Sequence, residues 1–491
     1  MSGPDMRRYL VAEVDEFLEA EDPIAKEEEF GDILFSLMSL GWAHGQRHYR
    51  LDPAVFEDKI RRRLRTHAAV TRYPRRYLHD SIPELEFGVL HVAFGQFTGQ
   101  WKAFEPLKNG TVAEIVMLTD APFNRAGRLT NHLIVTFDDT ACLEYELIHA
   151  SSDTDGGNTV LCRVPDFLYQ RAKSELAFGE SGQYLALQVL AALDGIRLAA
   201  DGVVHFHSWE CGFLADSDEF RALLVGRRAL FSPYLTIGPL KTFIDASGGR
   251  NWTMTDRELA VASCYEEKLC RISQRLVLES DRDRQWYAQR ALPCELDVRS
   301  FSARHTAAFS SAPQDDRHLT FVAGGRPVRE KGFVELCGQF AAVRDWAAAR
   351  GLTVSLGILC REPRQSKGAA YIEEIERAIA AHGLQDCVHV EAKTSVERMR
   401  QRIAASSALI VPSLHDPFCL MPSYAMDVER PSFVSAHSGV SENLSTREFV
   451  FDPLVEGDLL RAVEHWYATR PAFTYEARFP RFDSLYLEEA S

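Results

Sequence analysis

The sequence predicts an α/β protein with two doubly wound parallel sheets in tandem, preceded by a small all-α module. Three observations carry that reading. From about residue 85, short β-branched runs alternate with stretches of helical periodicity, the pattern of parallel strands joined by crossover helices. The alternation restarts after a polar segment, 293–316, rich in Ser, Arg and Ala, so a second sheet begins near Leu319. The first 70 residues carry helical periodicity alone.

Taken in order, Leu10, Val14, Phe17 and Leu18 recur at helical spacing, as do Phe30, Ile33, Leu34, Leu37 and Leu40. Pro23 separates these two helices. Asp52 and Pro53 open a third helix, 55–67, as N-cap and first helical residue. In the first α/β block, strands are expected at 115–118, 133–136, 203–206, 230–232 and 275–278, with helices at 183–199 and 256–271. In the second block, strands at 320–323, 353–359, 387–390 and 408–412 alternate with helices at 332–350, 370–382, 395–405 and 421–428. The domains expected are a helical module 1–80, a first sheet domain 81–295, a linker 296–317, a second sheet domain 318–460, and a C-terminal helix and tail 461–491.

The chain of 491 residues suits about three domains. Its 46% hydrophobic and 25% charged residues exclude a largely disordered chain. A net charge of −15 disfavours nucleic acid and anionic membranes, which need a positive field. The ten cysteines include no C-x-x-C pair, against a zinc ribbon or a thioredoxin-type site. The acidic N-terminus does not read as a signal peptide, and no apolar run approaches a membrane span. The expectation is a cytoplasmic protein with reduced thiols and no stable membrane insertion.

At the front, Glu13 and Glu16 lie three apart on one helical face, and Glu29 and Asp32 repeat that spacing on the next helix. Four converging carboxylates make either a solvated acidic face or a site for a hard cation such as Mg²⁺. The E-x-x-E and E-x-x-D pair, with the run EEEFGDILFSL and the later stretch from Leu51 to Lys59 and its arginines, resembles the MazG-type nucleoside triphosphate pyrophosphohydrolases over about residues 8–70. The resemblance implies Glu13, Glu16, Glu29 and Asp32 as metal ligands, and a homodimer through these helices. Only twelve residues precede Glu13, so the module is either an active hydrolase or a retained helical unit.

Four features of residues 100–450 point to a second chemistry. The turn from Gly325 to Gly332 follows a strand and opens a helix, which makes an anion site, and it carries Arg326 and Lys331. Asp416 follows the buried strand 408–412, at the carboxyl edge where open α/β sheets bind ligands. Helix-start amides just beyond it, at Leu420 and Met421, are placed to hold phosphate. The third feature is a strand and glycine turn over 431–442, and the fourth is the strand end His205-Phe-His207-Ser208-Trp209.

Together these resemble the retaining glycosyltransferases with two Rossmann-like domains, the GT-B architecture of the glycosyltransferase family 4 and glycogen synthase-like superfamily, over about residues 110–460. The resemblance implies that Arg326 and Lys331 hold the donor diphosphate, and that Asp416 is the first acid of an E-x7-E pair whose second position is Tyr424. It puts His207 near the reacting sugar, with Ser208 in place of an aspartate. Gly127 falls where the family has a Gly-Gly turn near the donor phosphates. It implies a nucleotide-sugar donor, a small soluble acceptor and no metal for transfer. Specialised-metabolite biosynthesis, such as that of antibiotics, fits the composition. The other reading is an Mg²⁺-dependent nucleoside triphosphate pyrophosphohydrolase with a sugar-nucleotide-binding regulatory part.

Overall fold

The computed structural model describes residues 75–77, 84–94, 131–138, 145–149, 159–165, 169, 178–233, 235–246, 254–299, 317–361, 366–417, 419, 421–444, 447–470, 479–480 and 485–486. Among them the chain forms two sheets. The first contains β1 (Arg75–Tyr77), β2 (Glu86–Ala93), β3 (Asn131–Asp138), β4 (Tyr145–His149), β5 (Thr159–Pro165), β6 (Arg197–His207), β7 (Arg228–Ser232), β8 (Arg275–Leu278) and β9 (Glu295–Val298), in the order β1-β4-β5-β3-β2-β6-β7-β8-β9. Neighbours are parallel except β4 and β5. The chain steps from β2 through β3 to β5 on one side. It then returns to β6 and steps through β7 and β8 to β9 on the other. Strand order therefore reverses between β2 and β6, the topological switch point of this sheet.

Parallel strands covered on both faces need apolar residues at successive positions. Val92, Leu133, Val135, Val204 and Phe206 are buried with the helices α1 (Phe178–Leu193), α3 (Ile237–Ala246) and α4 (Asp256–Ile272) and the short α2 (Asp218–Leu223). Thr255 caps α4 in a reciprocal capping box with Glu258. Val89, Val203, Leu230 and Val277 belong to a second cluster, continuous with residues of the second domain and with Leu485 of the tail. The helix α5 (Asp281–Ala288) connects β8 to β9.

The second sheet contains β10 (His318–Gly325), β11 (Thr353–Cys360), β12 (Val388–Glu391), β13 (Ala408–Val411), β14 (Ser432–Ser435) and β15 (Val450–Phe451) in the order β12-β11-β10-β13-β14-β15, all parallel. Its helices are α6 (Phe333–Ala348), α7 (Ser366–Ala381), α8 (Val396–Ala404), α9 (Met421–Met426) and α10 (Asp458–Thr469). The order is that of a dinucleotide-binding sheet, with the switch point between β10 and β13.

Several boundaries differ from the sequence reading. Residues 183–199 are not one helix: α1 ends at Leu193, a turn through Asp194 and Gly195 (φ +71°) follows, and β6 begins at Arg197. The apolar Ile196, Leu198 and Ala199 continued the helical pattern past a glycine that stops it. Arg75–Tyr77, assigned to the helical module, pairs with β4 in the first sheet. Glu295–Val298, at the start of the expected linker, is an edge strand on β8, where Glu295 is exposed and Asp297 pairs with Arg275 and Arg299. Tyr486, in the expected C-terminal tail, lies against His205 of β6. The expected strand 115–118 and the three helices of residues 1–70 lie outside the described residues.

Candidate active site

Both strands that flank the second switch point end in loops that carry charge. After β10, Gly325 takes φ +151° and the chain turns through Arg326 to Lys331. Gly332 (φ +67°) then enters α6. A Cβ on Gly332 would stand 2.0 Å from the Pro412 carbonyl oxygen, so only glycine lets this turn approach the loop after β13. The two loops are also tied by backbone, because the Glu330 carbonyl accepts from Leu414 N at 2.7 Å and from His415 N at 3.3 Å.

Within that frame the Lys331 ammonium pairs directly with the Asp416 carboxylate, and Ser413 Oγ donates to the same carboxylate at 3.4 Å. The Asp416 backbone is held on both sides: its N–H donates to His437 O at 3.4 Å, and its carbonyl accepts from Gly439 N at 2.8 Å. Burial pulls the Lys331 pKa down, but the Asp416 charge more than reverses this, so the ammonium sits above its ordinary range. Arg326 is exposed beside Lys331, and among the described residues no carboxylate pairs with it. Burial raises the Glu330 pKa, offset by Arg326 and Lys331. The edge thus presents two cations, one held in place by an aspartate and one open, which suits a diphosphate.

Of the other expected donor residues, Met421 is buried at the first position of α9, where its Cε would lie 3.1 Å from a Cβ on Gly324. Tyr424 lies on the same helix, half-buried, with the Arg400 guanidinium 4.6 Å above its ring. Leu420 and Gly127 lie outside the described residues, as do Glu13, Glu16, Glu29 and Asp32.

His207 is placed differently from the expectation. It is the last residue of β6, at the carboxyl edge, but its side chain is 1% exposed and turned into a cluster of imidazoles. His91 Nδ1 lies 3.0 Å from His207 Nε2, and His91 Nε2 lies 3.0 Å from His132 Nδ1. His205 reaches Ser232 Oγ at 2.8 Å and the Tyr486 hydroxyl at 2.6 Å. Pairing explains the grouping. His91 is opposite His205, and Val89 is opposite both Val203 and His132, so period-2 alternation puts all four rings on one face. His207 is two residues on from His205 and joins them. Burial pushes the pKa of His132 and of His205 down to about 3, and holds those of His91 and His207 well below the ordinary value, so the rings are neutral at pH 7. Ser208 then takes φ +80° and ψ 150°, a conformation close to glycine-only.

Three residues near the second switch point were not singled out by sequence reasoning. His415 is buried, stacks on Phe243 of α3 at 5.8 Å, and has no hydrogen-bond partner for Nε2 among the described residues. Burial, then the charges of Arg282 and Lys331, push its pKa down to about 3. Glu442 accepts from Asp281 N at 2.7 Å and Arg282 N at 3.1 Å, capping α5 with a carboxylate from the other domain. Ser280 Oγ caps the same helix through Asp283 N at 3.2 Å. The only sequence signal for His415 is its place one residue before Asp416.

Comparison with known proteins agrees with this geometry. Residues 283–464 match the family model described as family 4 glycosyltransferase in conflict systems. No curated protein matches the sequence. Among solved structures, the fold is similar to sucrose-phosphate synthase from Thermosynechococcus elongatus (TM-score 0.55, 15% identity, 78% of this chain and 90% of that one). It is also similar to the E. coli trehalose-6-phosphate protein bound with UDP-2-fluoro glucose (TM-score 0.55, 13% identity, 78% and 92%). A third is the UDP-forming α,α-trehalose-phosphate synthase from Burkholderia xenovorans in complex with glucose-6-phosphate (TM-score 0.51, 11% identity, 78% and 92%). At these identities the likeness is one of fold, two Rossmann-like domains of the GT-B kind. The family match covers the domain that carries Arg326, Lys331 and Asp416, and with it the protein is a glycosyltransferase.

Proposed function

We propose that the protein moves a sugar, with retention of configuration, from a nucleotide-sugar donor to a small soluble acceptor in specialised-metabolite biosynthesis. The observation that carries this reading is the Lys331–Asp416 pair with open Arg326 at the switch point of the second sheet. A diphosphate at that edge meets two cations where leaving-group charge develops, which is where fixed charge lowers the barrier most. Asp416 orients Lys331 and offers its remaining lone pairs to sugar hydroxyls. The bond from the anomeric carbon to the diphosphate oxygen breaks. The acceptor oxygen, nitrogen or sulfur bonds to that carbon from the same face, and its proton passes to the departing phosphate. Tyr424 packs by the nucleoside and gives one hydroxyl to the ribose, and the amide of Met421 faces the phosphates.

The UDP-2-fluoro glucose of the E. coli relative and the glucose-6-phosphate of the Burkholderia one support UDP-glucose and a sugar phosphate as the first pair to assay. His207, buried in the sheet, has no contact with sugar in this mechanism. The front module adds a dimerising helical unit whose Glu13, Glu16, Glu29 and Asp32 hold Mg²⁺, and no step of transfer runs through it. Transfer assays with UDP-, GDP-, ADP- and dTDP-sugars, read by NMR of the product's anomeric proton, test the reading. A product of retained configuration supports it. Inverted configuration, or hydrolysis of nucleoside triphosphates in place of transfer, overturns it.

A further inference from the structure

His91, His205 and His207 are fully buried on one face of the first sheet, at its switch point, and each offers a ring nitrogen such that the three atoms lie within 4.8 Å of one another. We propose that these three histidines bind a first-row divalent cation of borderline softness, Zn²⁺ above all, in a buried site between β2 and β6 whose fourth position is left to water or hydroxide.

The chemistry of the donor set carries this. Neutral imidazole is the ligating form, and imidazole nitrogen suits zinc better than the hard cations, which take oxygen. Two imidazole nitrogens on one tetrahedral zinc stand about 3.4 Å apart, given bonds of about 2.0–2.1 Å. His91 Nδ1 and His207 Nε2, at 3.0 Å, are already near that separation. A ligating histidine usually gives its second nitrogen to a fixed partner, which sets tautomer and ring orientation. Here His91 Nε2 has His132 Nδ1 at 3.0 Å, and His205 has the hydroxyls of Ser232 and Tyr486, one of which remains when the other nitrogen turns to the ion. The Tyr486 ring packs over His91, His132 and His205 with centroids 5.4–5.7 Å away, and so covers the site.

Strand pairing predisposes the rings to meet. His91 and His205 are register partners, and His205 and His207 share a face. Four imidazoles on one dry sheet face are costly to desolvate, and coordination converts that cost into folding free energy. The bound ion would join the two central strands and, through Tyr486, hold the tail on the first domain. The site is independent of the donor edge, so the proposal stands or falls apart from the transfer reading.

The test uses the full chain, purified without a histidine tag, stripped with a chelator and held in excess Mg²⁺ to occupy carboxylate sites. Zn²⁺ is titrated against a chromophoric chelator. The expected result is one Zn²⁺ per chain with sub-micromolar affinity and a raised melting temperature. His91→Gln and His207→Asn should weaken binding at least 100-fold, and His132→Asn, which spares the ligands, by about 10- to 100-fold. If the ligand variants do not fold, Co²⁺ in the wild-type chain decides. Strong visible bands of a tetrahedral nitrogen site support the proposal, and the weak bands of an octahedral oxygen site overturn it. Absence of stoichiometric Zn²⁺ uptake by the stripped wild type, or folded His91 and His207 variants that bind as tightly, would show the cluster to be a hydrogen-bonded imidazole chain and nothing more.

Discussion

At the switch point of the second sheet stand a lysine, an aspartate and an open arginine; at that of the first stand three imidazoles almost without exposed surface. The two sheets reverse strand order in the same way, so topology does not distinguish them. The difference lies in where the polar residues sit along the strand. Arg326, Lys331 and Asp416 come after β10 and β13 end, in loops held together by glycine and backbone contacts. His91, His205 and His207 lie within β2 and β6, the last of them closing β6, where alternation turns them into the sheet face. A fold fixes a place for chemistry, and a shift of a few residues decides between an open ligand edge and a closed core.

The strongest way to break this comparison is to remove the charge at the open edge. Arg326→Ala and Lys331→Ala should each lower transfer on the order of 10²-fold, as loss of a fixed donor to developing charge does. Arg326→Ala should leave the melting temperature nearly unchanged, because its side chain is exposed. Normal turnover in the double variant would remove the switch-point assignment.

Next in size is a pH effect at His415. Its folded pKa of about 3 lies below the unfolded value near 6.5, so the unfolded chain binds the proton first as pH falls. Its share of stability is full above about pH 6.5 and drains away toward about pH 3. At pH 5 the loss is ~2 kcal/mol. His415→Phe keeps the ring against Phe243 and removes the titration, so its melting temperature should fall less than the wild type's between pH 7 and pH 5. Parallel curves would mean that His415 is not held neutral.

The first switch point offers a smaller test. Ser208 closes β6 in a conformation that costs a non-glycine residue about 1–3 kcal/mol. Ser208→Gly should raise the melting temperature, and a fall would show that the serine side chain outweighs the strain. The smallest effect is expected from Tyr424→Phe, which deletes one hydrogen bond worth about 0.5–1.5 kcal/mol. Donor affinity should then drop about two- to twelve-fold. Unchanged affinity would leave Tyr424 as packing beneath Arg400.

The second domain was the more legible part of the sequence. Its strands alternate regularly with helices, its helices have clear starts such as Ser395 at α8, and its candidate diphosphate turn is contiguous, so Arg326 and Lys331 are legible in one segment. In the first domain, β8 has the bounds its sequence predicts. The first domain was harder because its information is non-local. Each histidine of the cluster is unremarkable in its own segment, and only the pairing of β2 with β3 and β6 brings His91, His132 and His205 together. The His-x-His spacing at 205 and 207 is the one visible sign, and by itself it points to a site-edge histidine, not to a shared face. Glu442 on α5 and His415 on Phe243 are contacts between domains, which no local pattern carries.

The central claim is that the open edge of the second sheet receives a nucleotide diphosphate, and calorimetric titration of UDP, GDP, ADP and dTDP into the full chain tests it most directly. One site per chain is expected for at least one of these. Lys331 carries its charge above the ordinary lysine range, so affinity should hold through neutral pH and decline only above about pH 10.4. Binding should be abolished in the Arg326→Ala, Lys331→Ala double variant and kept in Ser208→Gly. Nucleotide affinity that survives in the double variant would mean that the diphosphate binds elsewhere.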